Sequence, residues 1–436
     1  MRIEAASGGL LILAAATALL LANSGWAASY ANLWQTPLGL RFGELILERP
    51  LSWLVNDGLM VVFFFVVGLE IKREIHCGEL SEWRRAALPV AAALGGMLAP
   101  AGIYFVLARG PMVRAGWGAP MATDIAFAVG ILALLGKRVP AALRVLLLAL
   151  AVIDDLGAIV VIALFYSAHF APVGLGIAAA GMIVIAALQR LGIRARMAYV
   201  PAGVLIWAGV HEAGIHPTIA GVVIGLMTPA RAWLGAEGFF AGIKEEVKQL
   251  EASGPSSLSV SQLASSVHHV DAVRREALSP AERLIEQLHP WVAYGVMPIF
   301  ALANAGVRID VANVAGEGGV VATATAMGLV LGKPLGILLA IFAALKLGLG
   351  RLPLGITWRH LTVLGSVAGV GFTMAIFIAQ LAFTQSALLS AAKIGILAAS
   401  AFAAVLAVVL GRLVLPATCA TGAAETADEA EASAEH

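Results

Sequence analysis

Ala151-Val-Ile-Asp-Asp-Leu-Gly-Ala-Ile-Val-Val-Ile162 places two carboxylates, Asp154 and Asp155, in the middle of an otherwise apolar run. A soluble core does not bury two adjacent acids without partners, and hydrocarbon tolerates them even less. In a membrane span such residues face the bundle interior and mark an ion or substrate path. The flanking chain decides between these settings. Of 436 residues, 60% are hydrophobic and 13% are charged, against about 25% charged in ordinary globular proteins. Mean hydropathy is +0.91. Apolar stretches of roughly 17 to 25 residues recur, the length that crosses about 30 Å of hydrocarbon. The expectation is therefore an all-α polytopic membrane protein with about twelve transmembrane helices. The spans centre near Ala15, Phe64, Leu94, Ala128, Ala158, Ala179, Leu205, Val223, Ile299, Val330, Val370 and Ala401.

Other classes fall away on composition. A net charge of +1 gives no case for nucleic acid as a partner. Cys77 and Cys419 are too far apart in sequence to read as a disulfide or a metal site. The first apolar stretch, 7–28, is too long for a signal h-region and counts as a span. Orientation follows from the basic residues of short loops. Lys72, Arg73, Arg84, Arg85, Lys137, Arg138, Arg144, Arg190, Arg194, Arg196, Lys346, Arg351 and Arg359 crowd one side, which is then the cytoplasm of a bacterial inner-membrane protein. An even number of spans puts both termini there. The membrane domain runs over 1–416. Segment 38–47 alternates partially in hydropathy and reads as a periplasmic hairpin or an irregular loop. Segment 230–278 is a polar cytoplasmic insert, flexible around Ser253-Gly-Pro-Ser-Ser and helical around Lys244–Leu250. The acidic tail 417–436 reads as disordered.

Few ionisable residues lie within the apolar runs: Asp57, Glu70, Asp124, Asp154, Asp155 and Lys333. Neighbours on a helix point about 100° apart, so Asp154 and Asp155 serve different surroundings. Carboxylate oxygens suit both a hard cation such as Na+ and a proton. Two of them in low dielectric hold a proton or a cation in place of bare charge, which is the physical basis of exchange. Thr123 and Asp124 open a short span, 121–136, edged by Gly118 and Pro120. That pattern suggests a broken helix whose exposed termini face ions, with Asp124 compensating the helix dipole; a plain N-cap at the membrane surface is the alternative. Gly369-Val-Gly-Phe-Thr-Met-Ala-Ile-Phe377, with Gly371 and Thr373, has the same character. Both segments read Thr-x-x-x-Phe, Thr123 to Phe127 and Thr373 to Phe377. Paired interruptions point to inverted repeats, spans three to five against ten to twelve.

Lys333 stands in Gly328-Leu-Val-Leu-Gly-Lys-Pro-Leu-Gly336. A buried ammonium needs a carboxylate, and Asp154 or Asp155 is available; otherwise the lysine snorkels to the interface. Asp57 lies near the outer end of span two, and Glu70 reads as a cytoplasmic-mouth residue paired with Lys72 or Arg73. His289 opens span nine as an interface anchor or a regulatory group. Two decoys fail. Gly328 to Lys333 is one residue short of a phosphate loop and continues into Pro334. His211 and His216 stand five apart, where a zinc-protease helix needs four.

These segments together resemble the NhaA family of sodium/proton antiporters. The likeness rests on 56–74, Ala122-Thr-Asp-Ile-Ala-Phe127, Val152–Ile159, Gly214-Ile-His216-Pro-Thr-Ile-Ala-Gly221, His289-Pro-Trp, Ala303-Asn-Ala-Gly-Val307, Gly332-Lys-Pro and Gly371-Phe-Thr-Met. The resemblance implies twelve helices, with spans four and eleven interrupted and crossing near the midplane. It implies a cation site at Asp154 and Asp155, lined by Thr123 and Asp124, with Lys333 partnering Asp154. It implies electrogenic exchange of cytoplasmic Na+ or Li+ for protons, active at alkaline pH, without a cofactor, in a homodimer paired through the outer hairpin. One departure concerns pH. Where the family usually presents a Glu-His pair ahead of His-Pro-Trp, this chain has Ile285 and Glu286, and His289 alone is retained. The rival readings are an intramembrane aspartyl protease using Asp124 with Asp154 or Asp155, and a channel or a sodium/solute symporter.

Overall fold

In a computed structural model, the structure describes residues 2–416 apart from 43–44, 168–170, 194, 233–234, 254–263, 269, 271–276 and 311–315. The acidic tail and most of the Ser/Gly-rich part of the insert lie outside the described residues. Among the described residues, six helices are long and apolar enough to cross a membrane: Leu51–Cys77, Trp83–Leu107, Ala141–Phe165, Pro172–Arg190, Glu317–Lys346 and Ser386–Val414. Three bent pairs pass together: Ala6–Ala22 with Ala27–Gln35 at 114°, Pro111–Met121 with Ile125–Arg138 at 44°, and Trp358–Ala368 with Phe372–Ala382 at 46°. The remaining expected centres, Leu205, Val223 and Ile299, fall in the shorter helices Tyr199–Glu212, Thr218–Met227 and Met297–Asn304. Leu98, Leu164, Leu339, Phe402 and Val405 are more than half exposed, outward apolar surface of the kind lipid covers.

The chain divides into two units. One comprises Met1–Asn56, Glu82–Tyr166 and the chain from Met297 on; the other comprises Asp57–Ser81 and Ser167–Val296. The first unit holds two triplets of the same order: an unbroken long helix, a bent pair and a second unbroken long helix. They run from Trp83 to Phe165 and from Glu317 to Val414.

Several local features refine the expected plan, and some depart from it. The first span ends at Ala22, and a separate short helix, Ala27–Gln35, follows the sharp turn. An antiparallel pair of strands, Pro37–Phe42 and Leu45–Pro50, runs in register from Pro37 opposite Pro50 to Phe42 opposite Leu45. Within the insert, Gly235–Ser253 is helical. Among the described residues, three spans carry a π-helical stretch, at Leu54–Leu59, Val292–Val296 and Gly328–Gly332. The last two immediately precede a residue followed by proline, Pro298 and Pro334. Proline lacks an amide donor and crowds the carbonyl a turn earlier, and a widened turn relieves that crowding without ending the helix.

Glycine decides one contact in the first unit. A Cβ on Gly95 would stand 2.2 Å from the Gly336 carbonyl oxygen, and one on Gly336 would stand 2.1 Å from that of Gly95. Trp83–Leu107 and Lys333–Lys346 therefore touch backbone to backbone, as small residues allow in membranes. Gly336 lies one turn beyond Lys333, so this approach also fixes where the lysine side chain starts.

Candidate functional site

The site assembles within the first unit from four elements. Both bent pairs break over three residues. Ala122 is extended after the 3-10 segment Ala115–Met121, and Asp124 caps the helix Ile125–Leu135. In the other pair, Trp358–Ala368 ends before Gly369, and Phe372–Ala382 restarts after Gly371. The breaks meet backbone to backbone: the Asp124 amide donates to the Val370 carbonyl at 2.8 Å. A Cβ on Gly371 would lie 3.0 Å from the Ala122 carbonyl oxygen, so the contact leaves no room for a side chain there.

Asp124 is fully buried. Its Oδ1 accepts from the Phe127 amide at 3.1 Å, and its Oδ2 accepts from the Thr373 amide at 3.2 Å and from the Thr373 hydroxyl. One carboxylate thus satisfies orphan donors at the starts of two helices and lies at both positive dipole ends. The expected alternatives turn out to be one arrangement, because Asp124 is an N-cap and the helix it caps begins in the protein interior. The rings of Phe127 and Phe372 pack beside it, with centroids 5.6 Å apart. The Thr-x-x-x-Phe likeness does not mark equivalent places, however. Asp124 caps the first restarted helix and Gly371 the second, so the counterpart of Thr123 is Val370 rather than Thr373.

Helix Ala141–Phe165 brings Asp154 and Asp155 into the same interior, each 1% exposed. Lys333 is 0% exposed, and its ammonium donates to Asp154 Oδ2 at 2.5 Å and to the Met121 carbonyl. Met121 ends the 3-10 segment, so the cation stands at the carbonyl end of one half-helix while Asp124 stands at the amide ends of two others. This is the favourable sense for each dipole. The lysine does not snorkel: burial removes that alternative, and Asp154 is its carboxylate. The Thr123 hydroxyl lies 2.7 Å from Asp154 Oδ2 and 3.0 Å from the Ala368 carbonyl. A hydroxyl has one proton and donates to one of them at a time. Asp154 Oδ1 is buried and accepts no hydrogen bond among the described residues, so its lone pairs remain open to a cation or a proton.

The other sequence-singled residues sit elsewhere. Asp57, Glu70, His216, Glu286 and His289 belong to the second unit. Asp57 Oδ1 is 3.4 Å from His216 Nε2, and His216 Nδ1 is 2.8 Å from the Thr218 hydroxyl. The Asp57–His216 pairing had no local signal, since the two lie in different spans. Near Glu70, the ion pair formed by Arg73 is with Glu74 at 3.8 Å. His289 does not open its helix. That helix begins at Pro280, with Ser279 and Glu282 capping each other reciprocally, and His289 occupies its last turn. Ile285 is buried with Leu69 and Ala281, while Glu286 is exposed. The position that departs from the usual pair is therefore a packing position here.

Sequence reasoning missed a set of amides in the first unit. Asn304 Nδ2 donates to Asn56 Oδ1 at 2.8 Å and to the Phe300 carbonyl at 3.1 Å, and Gln380 donates to Asn304 Oδ1. A search for charges passes over neutral amides. The signal that would have found them is polarity at the ends of otherwise apolar runs. Tyr166 was also missed. Its hydroxyl donates to the Ala115 carbonyl at 2.7 Å and accepts from the Gly118 amide at 3.2 Å, tying down the 3-10 segment that leads to Met121.

A multi-pass membrane bundle that gathers buried carboxylates and a buried lysine where two interrupted helices meet has the architecture of a secondary ion transporter. The model of the Na+/H+ antiporter 1 family matches residues 1–410. The chain is 61% identical over 433 residues to "Na(+)/H(+) antiporter NhaA 2" of Myxococcus xanthus, covering 99% of this chain and 92% of that one. It is 54% identical to a protein of the same name in Sorangium cellulosum, with 100% and 93% covered, and 46% identical to one in Pseudomonas putida, with 94% and 91% covered. The chain belongs to the Na+/H+ antiporter 1 family, a family of transporters.

Proposed function

We propose that this chain expels Na+ or Li+ from the cytoplasm in exchange for external protons, electrogenically, at a single site formed by Asp154 and Asp155. Thr123 and Asp124 line the site, which opens to one face of the membrane at a time. The observation that carries this reading is the Lys333–Asp154 ion pair, fully buried beside Asp155 where the two breaks meet. With the Asp124 carboxylate offset by the amide ends of two helices, Asp154, Asp155 and Lys333 in a dry interior carry a net negative charge that either a proton or a small cation can cancel. A cation arriving at Asp154 loosens the hold of Lys333 on Oδ2. The Thr123 hydroxyl turns to the Ala368 carbonyl, which lies within its reach. If the lysine also gives up a proton, two protons enter for each cation that leaves, and net charge moves. No cofactor takes part. The same reading disfavours a protease dyad, because Asp154 is held by Lys333 and Asp124 by Thr373.

The basic loops orient the chain with both termini and 230–278 in the cytoplasm of a bacterial cell, with the two triplets inverted relative to each other. A second copy pairs through the outer hairpin. Cys77, exposed at the end of its helix, then faces the cytoplasm, as does Cys419. An impermeant thiol reagent should label neither in intact cells and Cys77 in inverted vesicles; labelling of Cys77 from outside would reverse the orientation.

Exchange itself is tested by sodium-induced dequenching of a pH-sensitive dye in vesicles containing the purified protein, scanned over pH. Competition at one site demands that raising sodium move the half-activity point to lower pH. The displacement is about one pH unit per tenfold sodium if one proton is displaced, and about half a unit if two are. Ile285 belongs to a packed core, so of the usual pH-sensing group only His289 remains; His289→Ala should leave this relation intact. A half-activity point that ignores sodium would mean that a separate switch, and not competition, sets the pH response.

A further inference from the structure

The amides Asn56, Asn304 and Gln380 form a connected set in a bundle where other side chains are overwhelmingly apolar. Asn304 is 4% exposed and stands at its centre, donating to Asn56 and accepting from Gln380. Its second amide proton goes to the Phe300 carbonyl of its own helix at 3.1 Å, which fixes its rotamer. Asn304 ends the helix Met297–Asn304, Asn56 lies in the π-helical stretch Leu54–Leu59, and Gln380 lies in the last turn of Phe372–Ala382. Three separate spans are thereby tied at one level.

Gln380 is seven residues beyond Thr373 on one helix. Seven steps of about 100° return to nearly the same face, and they advance about 10 Å along the axis. One face of that helix is therefore pinned at two points, by Thr373 to Asp124 at its start and by Gln380 to Asn304 at its end. A helix held at one point still rotates and slides; one held at two points on the same face has its rotation and height set. Phe300 and Phe377, with ring centroids 6.1 Å apart, pack between the same two helices and add no direction of their own.

We propose that Gln380, through Asn304 and Asn56, is a positioning group for the cation site. It sets the rotation of helix Phe372–Ala382 so that the amide and hydroxyl of Thr373 meet Asp124, and with that the placement of the break lining Asp154 and Asp155. The amides touch no cation. They act at a distance of about two turns, through the helix that carries Thr373. This inference rests on the exchange function proposed above.

The test reads sodium dependence of exchange in vesicles for four forms: wild type, Gln380→Leu, Thr373→Ala and the double variant. Asn56→Leu serves as a second way to cut the same tie, and thermal melting is recorded for all. Gln380→Leu and Asn56→Leu should each raise the half-saturating sodium concentration about tenfold while leaving the rate at saturating sodium within about twofold. A tenfold change corresponds to about 1.4 kcal/mol. Because Gln380 acts through Thr373, Gln380→Leu should have a smaller effect in the Thr373→Ala background, where only the backbone amide at 373 is left to align on Asp124, and that non-additivity is what a merely structural amide would not produce. Independent, additive effects of Gln380→Leu and Thr373→Ala would overturn the positioning role, as would a loss of maximal rate at unchanged half-saturation. A wild-type chain that gives no sodium-dependent dequenching would instead remove the function on which the inference rests.

Discussion

Asp155→Asn is expected to abolish exchange, at least a hundredfold, in a protein that still inserts and folds. The substitution keeps the shape of the side chain and removes its charge. Asp154 is already held by Lys333 and Asp124 by the amide ends of two helices, so with Asp155 neutral each remaining acid has its counter-charge. The negative charge that would draw a cation is then gone. A monovalent ion stripped of water in a low-dielectric site depends on that charge, and no rearrangement of dipoles at the site replaces it. The measurement is sodium-dependent dequenching at alkaline pH and high sodium, alongside a melting curve. Exchange at wild-type apparent affinity would show that the cation is met elsewhere. Asp154→Asn should also damage transport, by a different route: it leaves the buried Lys333 ammonium with neutral acceptors, an amide oxygen and the Met121 carbonyl, in place of its counter-charge.

Lys333→Ala is expected to be the most destabilising single change. It removes one partner of an ion pair in which both side chains are fully buried, a class of change that costs about 3–5 kcal/mol. It also deprives the Met121 carbonyl of its donor. Part of that cost is recovered if Asp154 takes up a proton, so the loss should be largest at high pH. Two measurements follow. The melting temperature should fall, and combining Lys333→Ala with Asp154→Asn should restore much of it, because the second change removes the uncompensated charge that the first created. Transport in vesicles should lose its sensitivity to membrane potential if the lysine carries a proton in each cycle. Unchanged stability together with unchanged potential sensitivity would leave Lys333 without either role.

The centre of the site was legible because the membrane makes ionisable residues rare. Asp124, Asp154, Asp155 and Lys333 stand out from apolar neighbours, and hydrocarbon supplies the reason to read each as functional. The breaks were legible too, from glycine and proline at 118–120 and 369–371. Partner choice was legible only through the family resemblance, which implied Asp154, and not from the residues themselves. Lys333 and Asp154 are 179 residues apart, and which of two adjacent acids the lysine reaches depends on how two helices are rotated, a matter of packing that no local pattern encodes. The Thr-x-x-x-Phe likeness was legible and misplaced, because it matched residue types while the caps show the register to differ by three. Helix continuity was underestimated at His289, where the capping serine and glutamate ten and seven residues earlier carried the signal. The amides escaped because neutral polarity is weak evidence of function in a single sequence, although three neutral side chains joined in a bundle are as constrained as a charge pair.

A carboxylate that caps two helices at once, as Asp124 does, turns the meeting of the broken spans into a shared joint. Any motion that parts the breaks takes the Asp124 carboxylate from the Thr373 amide and hydroxyl and the Val370 carbonyl from the Asp124 amide, and donors left without an acceptor away from water cost several kcal/mol each. Separation is thus self-penalising, whichever helix starts it. With the cation site proposed above, the two restarted helices are expected to travel as one rigid piece through the transport cycle, carrying the proposed lining with them, and the hinges of the cycle to lie outside that joint.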